Sequence, residues 1–323
     1  MLRFCLQRLL LGALTILTIS LLVFISTDLL PGDVATEILG QNATPGSLAA
    51  LRTALGLDEP LFSRYGHWLQ MTLSGHLGDS LANGLPIAPI IEQRLSNSCV
   101  LAGLTAVIAI PLALVAGIFC AVRRNSWLDR AISGITTIFI SLPEYFLAYV
   151  LIIVFARSLN LFPSLADVEP GASFGERAYA LSLPIFTLLL VVVPYMLRMT
   201  RAAIVRLLAA PYVEMARLKG TPEWAVILRH VLPNAIGPLA NVIAFVLGYL
   251  AVGIIIIEVV FVYPGIGKLM MDSVAARDVP TIQICGVIFG ATYIVLNTIA
   301  DIAAILSNRR LYAKEMPSAL DRL

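Results

Sequence analysis

Six stretches of nearly continuous apolar residues stand out along the chain, at about 9–27, 99–121, 132–156, 181–197, 235–257 and 282–306. None of them alternates with period two. A membrane-crossing helix needs about 20 mostly apolar residues, and each run is close to or above the lower limit for that length. In hydrocarbon every backbone N–H and C=O must be satisfied within the protein, which only helices and closed barrels achieve. Apolarity without alternation excludes the barrel. The pattern predicts an all-α polytopic membrane protein with six transmembrane helices. Arg3 and Arg8 precede the first run, but its apolar stretch exceeds the 7–15 residues of a signal-peptide core. "TDLLPGD", with no small-x-small site, follows it, so it reads as an uncleaved span. Pro111 and Pro194 predict bends in the second and fourth spans.

Between the fourth and fifth runs, residues 198–234 become polar while staying helical in pattern. "RMTRAAIVRLLAA" (198–210) continues the fourth span as an amphipathic helix, and Pro211 marks a break. "YVEMARLKG" (212–220) reads as a short helix that Gly220 ends, glycine being the usual residue after a helix C-terminus. "TPEWAVILRHV" (221–231) restarts with Thr221 as N-cap and Pro222 at the first helical position, and Pro233 closes it before the fifth span. The result is a capped helical elbow. Two readings fit it: a loop lying on lipid headgroups, or a knob that docks a partner. Residues 28–98 also carry short helical patterns. They place Leu48, Leu51 and Leu55, then Leu61, Tyr65, Trp68 and Leu69, on apolar faces. Aromatics there suit a membrane interface or a cap that contacts another protein.

Charge orients these elements. The chain is 59% hydrophobic and 13% charged, with net charge +2 and mean hydropathy +0.90. An average soluble domain has about 25% charged residues. With six spans both ends lie on one side. That side carries Arg3, Arg8, Arg123, Arg124, Arg130, Arg198, Arg201, Arg206, Arg217, Lys219, Arg229, Arg309, Arg310, Lys314 and Arg322, fifteen cations against seven on the other. The excess of cations on cytoplasmic loops places both termini and the 198–234 loop in the cytoplasm and the 28–98 segment outside. No basic run suggests nucleic acid. Cys5, Cys99, Cys120 and Cys285 have no metal-ligand spacing and no disulfide pattern.

Polar residues within the spans are few. Glu144 in "SLPEYF", Asn241 and Tyr249 in the fifth span, and Asn297 with Asp301 four residues later in the sixth are candidates for lining a pathway. Intramembrane polar groups usually face the bundle interior; a structural role as kink support fits Glu144 equally well, and a bond to a neighbouring helix fits Asp301, near the cytoplasmic end of its span, better than the pathway does. After "VVFVY", residues Pro264, Gly265 and Gly267 predict a turn near the outer surface, re-entrant or exposed. Catalysis has little support. The three histidines, His67, His76 and His230, fall in loops or at helix ends, and no H-E-x-x-H, G-x-S-x-G or phosphate-binding G-x-x-x-x-G-K-[ST] is present.

The elbow residues also resemble a family. Glu214-Met215-Ala216, Gly220, His230 and Leu232-Pro233 stand at the spacing of the cytoplasmic signature loop of ABC-importer permeases. Met215 replaces an alanine and His230 an isoleucine. "RHVLPNA" is similar to the dipeptide/oligopeptide/nickel branch, as are "LLPGDVATEILG" (29–40), "LGLDEPLFSRYGHWL" (55–69), "GHLGDSLANGLPIAPIIEQRLSNS" (75–98) and "IEVVFVYPGIGKLMMDSVAARDVPTIQ" (257–283). Within that branch the chain resembles the B-type permease subunit, although "SNRR" (307–310) stands where Asp-Pro-Arg is common. The resemblance implies one transmembrane permease domain over 1–323, in the inner (cytoplasmic) membrane of a bacterium or archaeon. It implies that Glu214, Met215, Ala216, Arg217, Lys219, Gly220, Trp224, His230 and Pro233 belong to an ATPase-coupling loop. Glu214 would anchor it by charge, Gly220 would permit a close approach, and Trp224 and Val226 would pack on the partner or the membrane. The implied partners are a second homologous permease, two ABC ATPase subunits, a periplasmic or lipid-anchored substrate-binding protein, and membrane lipid. This chain would bind no cofactor, with ATP and magnesium held by the ATPases. The expected cargo is short peptides, with nickel, glutathione or oligosaccharides as alternatives. A secondary transporter is the competing class and an intramembrane hydrolase a distant third. The former would favour inverted repeats and helices broken at the midplane.

Overall fold

A computed structural model describes residues 2–29, 36, 44–54, 56, 58–167 and 171–307, with side chains at all of these except 2–5, 51, 54 and 300–307. Along the chain come α1 (Leu2–Asp28), α2 (Pro45–Ala54), α3 (Leu61–Leu73), α4 (Ile87–Val122), α5 (Trp127–Ser141) and α6 (Glu144–Leu151), which a π-helical segment (Ile152–Ser158) extends. Then follow α7 (Phe174–Ala180), α8 (Ser182–Leu208), α9 (Pro211–Leu218), α10 (Glu223–Val226), a second π segment (Ile227–Val231), α11 (Leu232–Val260), α12 (Ile266–Ala275) and α13 (Val279–Ser307). No strand occurs among the described residues, so the fold is all-α, as the apolar pattern predicts.

Among the described residues five helices are long and apolar enough to cross a membrane, or six if one bent pair counts as a span. The bent pair corrects the expectation for 132–156. That run is not one straight helix. α5 and α6 meet at 102°. Leu142 and Pro143 are extended (ψ 137° and 143°), because a residue before proline is driven out of the helical region. Pro111 and Pro194, by contrast, lie inside the continuous helices α4 and α8.

The chain forms two compact units. One comprises the described residues of Met1–Leu9, Cys99–Tyr263 and Tyr293–Leu323. Its main core joins Leu101, Ala109 and Ala113 of α4 to Leu188, Val192 and Met196 of α8 and Val246, Leu250 and Ile257 of α11. Small residues set the spacing. A Cβ on Gly117 would lie 2.7 Å from the Thr200 side chain and 2.9 Å from the Leu197 carbonyl oxygen, so hydrogen at that position is what lets α4 and α8 touch backbone to backbone. Close packing of this kind replaces the hydrophobic effect as the attraction between helices in lipid.

The other unit comprises the described residues of Leu10–Ser98 and Pro264–Thr292. Gly286 and Gly290 on α13 form a G-x-x-x-G face that receives Val23 and Ile19 of α1, where added Cβ atoms would meet those side chains at 3.2 and 2.8 Å. Phe24, Tyr65 and Trp68 make an aromatic cluster with centroids 5.6–6.0 Å apart. Tyr65 also shares a 2.7 Å hydrogen bond with Ser20, and Arg64 pairs with Asp28 at 2.7 Å. The apolar face expected on 60–73 therefore packs on α1. Leu55, and the side chain of Leu51, lie outside the described residues. Asp278 is buried and ties residues 80–81 to the start of α13. It accepts hydrogen bonds from Ser80 Oγ, the Leu81 N–H and Thr281 Oγ at 2.5, 3.0 and 2.7 Å.

Candidate functional site

α8 runs without interruption past the fourth apolar stretch to Leu208, and three residues later Pro211 opens α9 as its first residue. Proline is tolerated there because the first helical N–H has no partner to lose. The helix ends in a Schellman closure. The Gly220 N–H donates to the Arg217 carbonyl at 2.9 Å and the Thr221 N–H to the Ala216 carbonyl at 3.2 Å. Gly220 has φ +80°, the left-handed conformation in which a Cβ is penalised. Among the described residues nothing lies within 4 Å of where that Cβ would be. Within this chain, then, backbone conformation and not crowding requires glycine.

The second half of the elbow differs from the sequence expectation at both ends. Pro222, not Thr221, is the N-cap, and α10 starts at Glu223 with no side-chain cap. Pro233 does not close the segment. α10, the π segment and α11 run on as one helix, Glu223–Val260. Proline has no N–H to give to a carbonyl four residues back. The wider π turn directly before it accommodates that loss, and Asn234 Nδ2 donates to the His230 carbonyl at 2.7 Å.

The elbow is not a free-standing knob. Val213, Ala216, Val226 and Val231 are buried together with Ile204 of α8, Ala121 of α4 and Ala235 of α11. Val226 thus packs inside the elbow itself, not on a partner or the membrane. Across the Gly220 turn the Arg217 guanidinium donates two bonds to Glu223, at 3.0 and 2.5 Å. This carboxylate contact raises the Arg217 pKa further above its ordinary value. Arg217 is therefore engaged in bracing the two short helices. Glu214, Lys219, Pro233 and the apolar side chains of Met215 (54% exposed), Leu218 (76%) and Trp224 (61%) face outward. His230 is half-buried. An apolar patch carried on a rigid support and flanked by charges has the composition of a docking surface.

The pathway candidates do not converge as a set. Glu144, first residue of α6, and Tyr249 of α11 meet in a hydrogen bond from the phenol to the carboxylate. Gly253 lies beside this pair, where a Cβ would sit in ordinary contact at 3.4 Å from Tyr249 and 3.5 Å from the carboxylate. Asn297 donates back to the Tyr293 carbonyl on its own helix at 2.8 Å, and Asn241 is exposed. The Asp301 side chain lies outside the described residues. The outer turn is also built otherwise than expected. Its left-handed residue is Val262, φ +54°. Gly265 is an extended N-cap of α12, and Gly267 is buried in that helix. The Pro264 carbonyl accepts from Asn97 Nδ2 at 2.8 Å. Glycine here serves helix initiation and packing instead of the turn.

Sequence reasoning missed Asp129 altogether. It is buried, and it holds Arg201 of α8 by two bonds of 2.7 Å. "S-W-L-D" did offer a signal, because Ser126 caps α5 and accepts from the Asp129 N–H at 3.2 Å. What no sequence spacing exposes is the cation seventy-two residues further on.

Comparison with known proteins places this architecture. Residues 113–312 match the family model described as the binding-protein-dependent transport system inner membrane component, and residues 1–112 match the model of its N-terminal part. The chain belongs to this family. Among the permease's relatives are a putative peptide transport system permease of Brucella suis, 31% identical over 92% of this chain and 94% of the relative, and a probable peptide ABC transporter permease of Sinorhizobium fredii, 30% identical over 95% and 98%. The glutathione transport system permease of an Escherichia coli strain is 36% identical over 94% and 96%. The permease is thus a multi-pass inner-membrane subunit of an ABC importer, and it works with other components of such a system.

Proposed function

We infer that this permease supplies half of a translocation pathway for short peptides and couples to a cytoplasmic ATPase through residues 214–233. The observation that carries the coupling is the elbow itself, a braced and capped structure that presents Met215, Leu218 and Trp224 outward beside Glu214 and Lys219. A second homologous permease would complete the pathway. Two ATPases would hold the ATP and magnesium, and a periplasmic or lipid-anchored binding protein would deliver cargo. Such ATPases close on ATP, and a rigid elbow seated in each would swing the spans from inward-open to outward-open. Asn241 and Asp301 remain candidates for the pathway wall, and Glu144 with Tyr249 for kink support.

The asymmetry of basic residues supports a cytoplasmic position for both termini and the elbow. Cysteines introduced at Asn83 and Ala172 are expected to label with an impermeant thiol reagent in intact cells, and one at Glu223 only after lysis. Labelling at Glu223 in intact cells would reverse the orientation.

Peptide cargo is supported by the names of several relatives. A glutathione-transporting relative at 36% identity favours glutathione as the second reading. Vesicles carrying the whole assembly and ATP are expected to accumulate radiolabelled trialanine, with unlabelled short peptides competing and glutathione not. Uptake of glutathione alone would establish the second reading.

A further inference from the structure

The Asp129–Arg201 fork joins the first turn of α5 to α8, about two helical turns before α8 ends at the elbow. Asp129 is 2% exposed, and the Asn125 N–H also donates to its Oδ2 at 2.9 Å, so the carboxylate is fixed in α5 on its own side. Arg201 Nε and one terminal nitrogen reach separate oxygens of it, each at 2.7 Å. A two-bond fork fixes the orientation of one helix against another as well as their distance. Just before Arg201, Thr200 rests on Gly117 of α4. Just after it, Ile204, Val205, Leu207 and Leu208 pack against the buried side of the elbow. The far end of α5 leads through the 102° bend into α6, whose first residue, Glu144, is held by Tyr249 of α11. Thus α5 is tied at one end to the helix that carries the elbow, and across its bend to the helix that leaves the elbow.

We propose that the Asp129–Arg201 fork is the joint through which a displacement of the elbow passes from α8 into α5 and the bent span. Both are positioning residues for transport. The proposal rests on the coupling role inferred above for the elbow. Stability alone is a weak reason for such a pair, because a buried ion pair roughly breaks even against an apolar pair of similar volume. What a fork supplies and an apolar contact lacks is a defined angle between two helices.

The test uses the whole assembly in vesicles with Arg201→Gln, Asp129→Asn, the double substitution and Arg201→Lys. Each variant is expected to keep its ATPase in full amount. Trialanine imported per ATP hydrolysed is expected to fall about tenfold in each single substitution, within the usual range of coupling between sites. The double substitution is expected to fall no further than the singles, as holds for two residues that act through each other. A second readout needs no cargo. Spin labels at Tyr212 on α9 and Ile138 on α5, both exposed and neither in the docking surface, are expected to keep one separation with and without ATP and vanadate in the unaltered chain. In Arg201→Gln that separation is expected to become nucleotide-dependent. If Arg201→Gln fails to assemble, Arg201→Lys, which keeps a cation beside the carboxylate but loses the fork, decides by the same readouts. The proposal is overturned if import per ATP stays within about twofold with the separation unchanged, or if the single effects add in the double. Gly220→Val is run beside these variants. An ATPase retained in full both there and in Glu214→Lys overturns the elbow reading itself, whereas an ATPase lost in either with Arg201→Gln still fully coupled overturns the fork alone.

Discussion

Replacing Gly220 by valine is expected to strip the ATPase from the assembly while leaving the permease inserted and paired. Gly220 closes α9 at φ +80°, and a β-branched residue there disfavours the turn by about 1–2 kcal/mol or more. The strain falls on the one joint that sets the angle between α9 and α10, the joint that Arg217 and Glu223 brace from the other side. Glu214→Lys reverses an exposed charge and is expected to act on the same interface without strain. Losing one partner of a charge pair buried on docking costs about 2–5 kcal/mol, roughly 30- to 3,000-fold in affinity. Co-purification of the ATPase with the tagged permease measures both. Gly220→Asn separates two reasons for the glycine. Asparagine tolerates the left-handed conformation, and no described residue comes within 4 Å of its Cβ. Docking retained in Gly220→Asn means that only backbone conformation matters, and docking lost means that the partner approaches this surface closely. Full docking in both Gly220→Val and Glu214→Lys would sink the coupling role and leave the elbow as a surface loop.

The second large effect is the loss of all uptake when the partners are withheld. The chain carries no phosphate-binding G-x-x-x-x-G-K-[ST] motif. Among the described residues no group of three metal-ligating side chains is present, and Tyr249 donates to one carboxylate oxygen of Glu144. Vesicles containing this permease alone are therefore expected to take up no trialanine under a proton or sodium gradient. Vesicles with the paired permease, both ATPases and the binding protein are expected to take it up with ATP, and removing either permease should bring uptake to background. Gradient-driven uptake by the lone chain would establish a secondary transporter instead.

The sequence by itself determined the class of the molecule and the place of its elbow. Unbroken apolar runs of about 20 residues can only be helices in a membrane, and the glycine and prolines at 211–222 mark helix ends through local backbone chemistry that needs no neighbour. The elbow signature was legible for the same reason, since spacing within one short segment is preserved in the fold. Tertiary structure alone decided what depends on contacts between distant segments. The third apolar run has the length of a span, yet Pro143 breaks it at 102°, because hydropathy counts residues and is blind to direction. Pro233 looks like a stop, yet the helix continues through a π turn. Val226 reads as a docking residue and is instead buried in the elbow core. Gly117, Gly286 and Gly290 read as neutral members of apolar runs, and only the approach of Thr200, Val23 and Ile19 shows that each marks a helix contact. Asp129 and Arg201, unremarkable in sequence, become a pair, with the carboxylate buried, because the fold brings two helices together across seventy-two residues. The physical reason is common to all of these. A backbone preference is written in neighbouring residues, whereas a side chain's partner is fixed only when helices pack.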